Sequence, residues 1–218
     1  MNKQYKIIDV LLLIVSLCLM LLLIIDNYVT SDQKKFKLEY EKYNGKESLL
    51  YSKKYPTIEI PITNNIEYTS YKKVIKILEK GTGVVFLSYP QCIKSRIIIS
   101  DFLDETKKMN VDKIYYANIY SIRDEKKVID NKVETIKKGT NDYYKILELL
   151  GENKKAYKEV SDESSRIYLP AIIFVKNGKI ESVYQSSSDS DEQSFKKMTK
   201  KERKEFKKTI RNNIRKIR

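Results

Sequence analysis

The most apolar segment of the chain lies at its amino end. Residues 7–25 form an uninterrupted run of 19 residues in which Asp9 is the single charge. As a helix, this run would extend roughly 28 Å, about the thickness of the hydrocarbon core of a bilayer. The sequence after the run lacks the small-residue cleavage site of a secretory signal. We therefore predict an uncleaved transmembrane anchor over residues 1–27, with a cleaved signal as the alternative.

The following residues change from a polar stretch to alternating apolar patterns. Residues 28–55 are charged and show no clear apolar face, so we predict a polar stalk there. Residues 56–62 alternate as an edge strand does, and an edge also tolerates the proline at position 61. Apolar positions in residues 68–80 recur at helical spacing, whereas residues 84–87 form the continuous apolar run of a strand buried on both faces.

The remaining patterns complete an α/β order. We predict a helix from residue 92 to about 108 and a strand at 114–119. A charged insert over residues 120–165 follows, with helical stretches around residues 122–136 and 143–157. An apolar strand and a second strand follow, joined by the Asn177-Gly178 turn, before a final helix. This order predicts a mixed sheet flanked by helices. The predicted domain covers residues 56–186, and a basic helix covers residues 187–218.

Composition limits the chemistry that this domain could perform. The 218 residues contain no histidine, which excludes Ser-His and Cys-His nucleophile pairs and histidine-ligated metals. Two cysteines are too few for a four-cysteine zinc site or a disulfide scaffold. We therefore expect no metal, and the thiol chemistry considered below needs no organic cofactor.

Charge bears on topology and on partners. Lysines occur on both sides of the apolar run, at positions 3 and 6 before it and from position 34 after it, so the positive-inside rule does not decide the orientation. A short amino tail before a long apolar run is typical of a signal anchor, and long domains translocate largely regardless of charge. We therefore predict a single-pass cell-membrane protein with its soluble domain outside the cytoplasm.

The carboxyl segment is basic and amphipathic. Residues 191–218 hold 12 Lys and Arg against 4 Asp and Glu, with apolar residues at three- or four-residue steps. Two interpretations fit this pattern. The segment is the last helix of the fold, or its basic side contacts anionic lipid or wall polymer. We do not expect nucleic-acid binding, because the tyrosines are dispersed and form no base-stacking platform.

One cysteine lies where thiol chemistry is favoured. Cys92 comes directly after the buried strand, at the predicted start of a helix. Free N–H groups at the helix end, together with Lys94 and Arg96, would lower the pKa of a thiol there, and only the thiolate attacks disulfides. The alternative is an ordinary half-buried cysteine. Pro170 also interrupts an apolar strand, which predicts a cis bond after Leu169, or else a trans proline at an edge.

Two segments together resemble the thioredoxin-like superfamily. VVFLSYPQCIKS, residues 84–95, is similar to its strand, P-x-C-x-x-C turn and helix, and YLPAIIFVKNGKI, residues 168–180, is similar to its cis-proline strand, turn and closing strand. Within the superfamily, the chain is most similar to membrane-anchored bacteriocin transport accessory-like proteins of Gram-positive bacteria. The resemblance implies that Cys92 is the attacking cysteine, that Leu169 and Pro170 line the substrate site, and that Pro170 lies in van der Waals contact with Cys92. Ser95 stands where the resolving cysteine would be.

Two functions remain open from these residues. The first is thiol-disulfide exchange with a protein thiol or disulfide, in which Cys92 is the nucleophile and Ser95 stabilises the thiolate. With a C-x-x-S motif the chain would form a mixed disulfide that an external thiol must resolve. The second is a redox-inert, thioredoxin-like binding module that holds a partner in an export or envelope assembly.

Overall fold

The computed structural model of this chain describes six segments. They are residues 2–28, 31–48, 52–130, 132–156, 165–185 and 195–218. The helices are α1 (Asn2–Tyr28), α2 (Ser31–Glu41), α3 (Tyr71–Lys80), α4 (Ile93–Lys108), α5 (Asn141–Leu149) and α6 (Lys200–Lys216). The strands are β1 (Ile66–Tyr68), β2 (Gly83–Ser88), β3 (Ile114–Asn118), β4 (Glu125–Ile129), β5 (Lys132–Lys137), β6 (Lys155–Ala156), β7 (Ser165–Arg166), β8 (Ala171–Lys176) and β9 (Lys179–Gln185).

The main sheet is mixed and has five strands in the order β1-β3-β2-β8-β9. β1, β3 and β2 run parallel, whereas β8 and β9 are antiparallel to their neighbours. Helices cover both faces, as the clusters of buried residues show. The predicted α/β class, a mixed sheet flanked by helices, is confirmed.

The central strand β2 separates two apolar layers. Val84 and Phe86 face the layer formed with α2, α4 and α6. Val85 and Leu87 face the layer formed with α3 and α5. Side chains of a strand alternate between faces, so a strand covered on both sides is apolar throughout. This is why its sequence shows a continuous apolar run.

The prediction of a stalk before the domain is wrong, because part of this segment belongs to the folded core. Residues 31–41 form α2, and Phe36 and Tyr40 on that helix are fully buried in the core. Their rings lie against each other, with centroids 4.3 Å apart, and Phe36 also meets Tyr116 of β3 edge-on at 4.9 Å. The domain therefore includes α2 from residue 31, because two aromatic side chains one helical turn apart pack this helix against the sheet.

The predicted edge strand at residues 56–62 is also wrong. Within the described strands of the sheets it pairs with none, and its backbone groups bond instead to side chains of residues 37–44 and of α4. Glu41 accepts a hydrogen bond from the Ile60 N–H at 2.7 Å, and Lys37 donates to the Ile60 carbonyl at 2.8 Å. Asn44 makes the corresponding pair of bonds with Ile58. The sheet edge is β1 instead, a few residues later.

The insert at residues 120–165 is not purely helical. Where a helix is predicted over residues 122–136, the structure has the antiparallel hairpin β4–β5, and Asp130 at its turn has a positive φ of 50°. The β-branched Val, Ile and Thr residues of this hairpin favour strands over helices. The second predicted helix, 143–157, is α5 and ends at Leu149. Residues 157–164 lie outside the described residues.

The basic carboxyl helix packs as the last helix of the fold. Phe206, Ile210 and Ile214 of α6 are buried, and a capping box of Thr199 and Glu202 starts the helix. The opposite, lysine-rich side is exposed. Contact of that side with anionic lipid or wall polymer stays a prediction, and residues 187–194 lie outside the described residues.

The predicted anchor falls within α1. Side chains of this helix are described for residues 8–21, and all of them are exposed. Over the residues described, no helix is both long enough and apolar enough to cross a membrane. The predicted span, residues 7–25, extends beyond the described side chains at both ends, and the anchor stays a prediction.

Candidate functional site

Cys92 is the residue at which α4 begins. β2 ends at Ser88, and the chain then turns so that the Cys92 N–H donates to the Tyr89 carbonyl at 3.0 Å. Cys92 has extended backbone angles at the N-cap, and its carbonyl accepts the Arg96 N–H at 3.0 Å. The helix behind it has 16 residues and no acidic residue in its first turn. The first turn of the helix therefore carries no carboxylate that would offset its positive end. A thiolate at Cys92 stays a prediction.

The predicted substrate-site residues lie in the neighbouring strand. β8 pairs with β2, and Ala171 stands opposite Leu87 in the register. Leu169 and Pro170 are buried immediately before β8, and Leu169 belongs to the same apolar cluster as Cys92. The Leu169-Pro170 peptide bond is cis, as predicted. Direct contact between Pro170 and Cys92 stays a prediction.

Access to the thiol is restricted. Cys92 is only 8% exposed, which leaves a small part of the residue open to an approaching group. Cys18, the second cysteine, is exposed on α1 and makes no disulfide with it. Cys92 is therefore the single thiol among the described residues of the folded domain.

Ser95 is fully buried and paired with another serine. Its hydroxyl forms a hydrogen bond with the hydroxyl of Ser88 at the end of β2. Ser95 follows Cys92 by about one turn of α4, so the pair lies directly behind the cysteine turn. The expected role of Ser95 toward the Cys92 thiolate stays a prediction, because the resolved partner of its hydroxyl is Ser88.

Arg96 does not serve chiefly as a charge beside Cys92. Its guanidinium is buried and donates to the carbonyls of Tyr40, Pro56 and Pro90 at 2.6 to 3.1 Å and to the Asn44 side chain at 2.6 Å. These bonds use all five N–H donors of the side chain. Burial lowers the pKa of Arg96, whereas the nearby Tyr40 raises it. Arg96 thus holds the amino-terminal segment against the cysteine turn.

Two buried phenols lie behind the same turn. The hydroxyls of Tyr40 and Tyr116 are inaccessible to solvent. Within the described part of the protein, neither has a partner at hydrogen-bond geometry. Burial raises the pKa of Tyr40 well above its ordinary value, and the nearby Ser88 and Tyr116 lower it by less. Tyr40 therefore stays protonated. The sequence analysis missed α2 as a core helix, and the i, i+4 spacing of Phe36 and Tyr40 is the weak signal that could have indicated it.

Aromatic and cationic side chains form the rim of the site. The Tyr89 and Tyr120 rings lie 4.9 Å apart, and the Arg123 guanidinium lies 5.9 Å from the Tyr89 ring centre. Tyr120 is 58% exposed. Sequence reasoning missed this rim, because Tyr89 follows β2 whereas Tyr120 and Arg123 follow β3.

The chemistry available at the site is that of a single thiol. The described residues include no group of three or more histidine, cysteine or carboxylate side chains arranged to hold a metal ion. Searches against protein-family models, curated proteins and solved structures find no match to this chain. Function must therefore be argued from the site itself.

Proposed function

We propose that this chain is a membrane-anchored, extracytoplasmic, thioredoxin-like protein that exchanges disulfides through Cys92. The observation that carries the proposal is the position of Cys92 at the N-cap of a 16-residue helix, directly after the central strand. The segments that resemble the superfamily are adjacent in space, because β2 pairs with β8. The cis Leu169-Pro170 bond lies at the start of β8, on the side where Cys92 follows β2.

The proposed reaction has two steps. The Cys92 thiolate attacks one sulfur of a protein disulfide, forms a mixed disulfide with it and releases the other sulfur as a thiolate. A second thiol, from a low-molecular-weight thiol or a partner protein, then attacks the mixed disulfide. This step releases the bound substrate sulfur or restores the Cys92 thiolate, depending on which sulfur is attacked. Each step exchanges one disulfide for another, so no net oxidant is consumed.

Because Ser95 stands at the position of a resolving cysteine, the reaction depends on a thiol from a second molecule. A serine hydroxyl cannot displace a thiolate from the Cys92 mixed disulfide as a resolving cysteine does. The buried Ser88 and Ser95 pair keeps this position polar and filled. The mixed disulfide should therefore persist until another thiol arrives.

The alternative function is a redox-inert binding module. The low exposure of Cys92, together with the Ser95 substitution, favours this alternative. In that case the domain would hold a partner in an export or envelope assembly, and Cys92 would be a packed core residue. Neither function requires a metal or an organic cofactor.

The reactivity of Cys92 separates the two functions. The full chain is purified in detergent with Cys18→Ser, so that Cys92 is the only thiol, and is mixed with a disulfide-bonded protein. We expect a mixed disulfide that resists dissociation until a reducing thiol is added. Cys92→Ser should abolish this adduct, and Ser95→Cys should shorten its lifetime if the two sulfurs approach each other.

The pH dependence provides the second arm of this experiment. Alkylation of Cys92 should follow a thiol pKa below that of an ordinary cysteine, since the helix end favours the thiolate. An unreactive thiol that forms no adduct and titrates at or above the ordinary value would refute the exchange function. The binding module would then be the better account.

A further inference from the structure

The outward side of α6 carries a row of lysines. Lys201, Lys204 and Lys208 follow one another at steps of three and four residues, so they lie along one side of the helix over roughly 10 Å. This side is opposite the one that buries Phe206 and Ile210, and all three lysines are exposed. We call these three lysines the lysine stripe.

The acidic residues near the lysine stripe do not neutralise it. Those of α4 pair with other cations of α6, as Asp101 does with Arg203 and Lys207 at 3.0 and 3.1 Å. On α6 itself, Glu202 is bonded within the capping box, and Glu205 is the exposed carboxylate beside the stripe. Among the described residues, the stripe lysines form no ion pair with any of these carboxylates. The outward side of α6 therefore keeps an excess of positive charge.

The helix α2, in the same layer, shows a similar division of charge. Its carboxylates bond to groups of the domain, as Asp32 and Glu39 do with the N–H and the hydroxyl of Tyr68 at 3.0 and 2.6 Å. Lys34 and Leu38 lie one turn apart on its outward side, where Lys34 is exposed and Leu38 is 60% exposed. The outward side of this layer is therefore basic on both helices and includes an exposed leucine on α2.

The same layer is joined closely to the apolar helix α1. The described side chains of α1, at residues 8–21, are all exposed, and most are apolar. α1 ends at Tyr28 and α2 begins at Ser31, so the chain between them can extend over no more than about 11 Å. With α1 as the membrane anchor, α2 therefore begins close to the lipid headgroups, and the layer that contains α6 is held near the bilayer.

We propose that the lysine stripe binds anionic lipid headgroups, so that the side of the domain formed by α2 and α6 lies on the membrane and α3 faces away from it. This inference rests on the membrane anchor of the proposed function. Each lysine near an anionic lipid surface strengthens binding by about fivefold, and the anchor raises the local concentration of that surface. A bilayer fits this side better than a soluble polymer does, because Leu38 beside Lys34 offers the apolar contact that interfacial helices make.

Lysine acylation of the full chain in lipid nanodiscs tests the proposal. One set of discs contains phosphatidylcholine alone, and the other contains an equal mixture of phosphatidylcholine and phosphatidylglycerol. Both leaflets of a disc are open to reagent, so the direction in which the chain inserts does not affect the result. Acetylation by an N-hydroxysuccinimide ester is measured at each lysine by mass spectrometry. Lys72 and Lys76, exposed on α3 at the other face of the sheet, are the internal control.

We expect phosphatidylglycerol to slow acylation of the stripe lysines about fivefold, because bound headgroups cover their amines, and high salt should reverse this protection. Lys72 and Lys76 should react at the same rate in both kinds of disc. Protection of these two lysines as strong as that of the stripe would overturn the proposed orientation.

Charge variants test whether the stripe holds the whole layer. The matched variants combine three substitutions each: Lys201→Gln, Lys204→Gln and Lys208→Gln in α6, or Lys72→Gln, Lys76→Gln and Lys80→Gln in α3. The α6 variant should weaken the protection that phosphatidylglycerol gives to Lys34 on α2, whereas the α3 variant should preserve it. Equal effects of the two variants would show that total charge, and not the stripe, controls the contact, and would overturn the inference.

The remaining outcomes separate this inference from the function on which it rests. Equal acylation of the stripe in the two kinds of disc would overturn the inference and leave both the anchor and exchange by Cys92 intact. Protection that arises only when soluble poly(glycerol phosphate) is added to phosphatidylcholine discs would overturn it in favour of a polymer partner. A chain that does not remain with the discs would overturn the anchor together with the inference.

Discussion

The helices α2 and α6 cover the same face of the sheet but are held by different interactions. α6 buries three apolar side chains and adds ion pairs to α4. In these pairs Arg203 and Lys207 lie 3.0 and 3.1 Å from Asp101, and Arg211 lies 2.5 Å from Glu105. Most of the cations involved are partly exposed. The pairs of Arg203 and Lys207 with Asp101 contribute little each, and the apolar stripe does most of the binding. Glu105 is buried, so its pair with Arg211 is the costly one to break.

α2 is held by fewer apolar side chains and by a buried arginine. Phe36 and Tyr40 are its only residues in the core cluster that the structure describes. Arg96 of α4 binds the Tyr40 carbonyl and the segment that follows α2, with no carboxylate within 4 Å among the described residues. A buried donor set that bonds to main-chain carbonyls is specific in geometry and costly to lose. The comparison teaches that a helix can belong to a core without an amphipathic stripe in its sequence.

The largest effect should come from removing the aromatic contact of α2. Phe36→Ala should destabilise the protein by about 3 to 5 kcal/mol, as much as Phe206→Ala on α6, because both remove a buried aromatic side chain. Urea unfolding of the full chain in detergent gives both values. Leu38→Ala, at an exposed position of α2, should change stability by no more than about 0.5 kcal/mol. A Phe36→Ala variant with an unchanged free energy of unfolding would show that α2 is not part of the core and would support the predicted stalk.

A smaller but still large effect should follow the loss of Arg96. Arg96→Met roughly keeps the length of the side chain but removes the five hydrogen bonds that the guanidinium donates to three carbonyls and to the Asn44 oxygen. We expect a loss of about 3 kcal/mol or more. Arg203→Met, which removes an exposed partner of Asp101, should cost no more than about 1 kcal/mol. Equal losses for the two variants in urea unfolding would contradict the contrast between buried and exposed cations.

The smallest effect should be the pH dependence of the stability that Asp104 contributes through its ion pairs. The hydrogen bond from Lys108 lowers the pKa of Asp104 most, and Lys207 of α6 adds to the lowering against the opposing effect of burial. A carboxyl group with a lowered pKa stabilises the fold above its ordinary pKa, and this contribution disappears as pH falls through the lowered value.

Asp104→Asn should therefore lose slightly more stability at pH 7 than at about pH 3, where the wild-type carboxylate is already becoming protonated. Urea midpoints for both proteins at the two pH values measure the difference. Lys197→Gln, at an exposed position before α6, serves as the control. An Asp104→Asn effect that is independent of pH would show that the ion pair contributes nothing.

The candidate site shows what the patterns of the chain could and could not predict. Cys92 follows a continuous apolar run and precedes a helical one, so local sequence places it at a strand–helix junction. Pro170 interrupts an apolar strand, which predicted the cis bond that the structure contains. Ser88 and Tyr120 carried no such signal, since each acquires its role only when β2 and β3 lie side by side.

The sequence by itself determined the α/β order, the central strand, the position of Cys92 and the apolar side of α6. These depend on periodicity and on local backbone preferences, which act over a few residues. Only the tertiary structure decided that α2 belongs to the core, that residues 56–62 bond to side chains, and that Arg96 binds carbonyls from three separate segments. The physical reason is that a buried polar group must find partners wherever the fold brings them, and these partners lie up to 56 residues away along the chain.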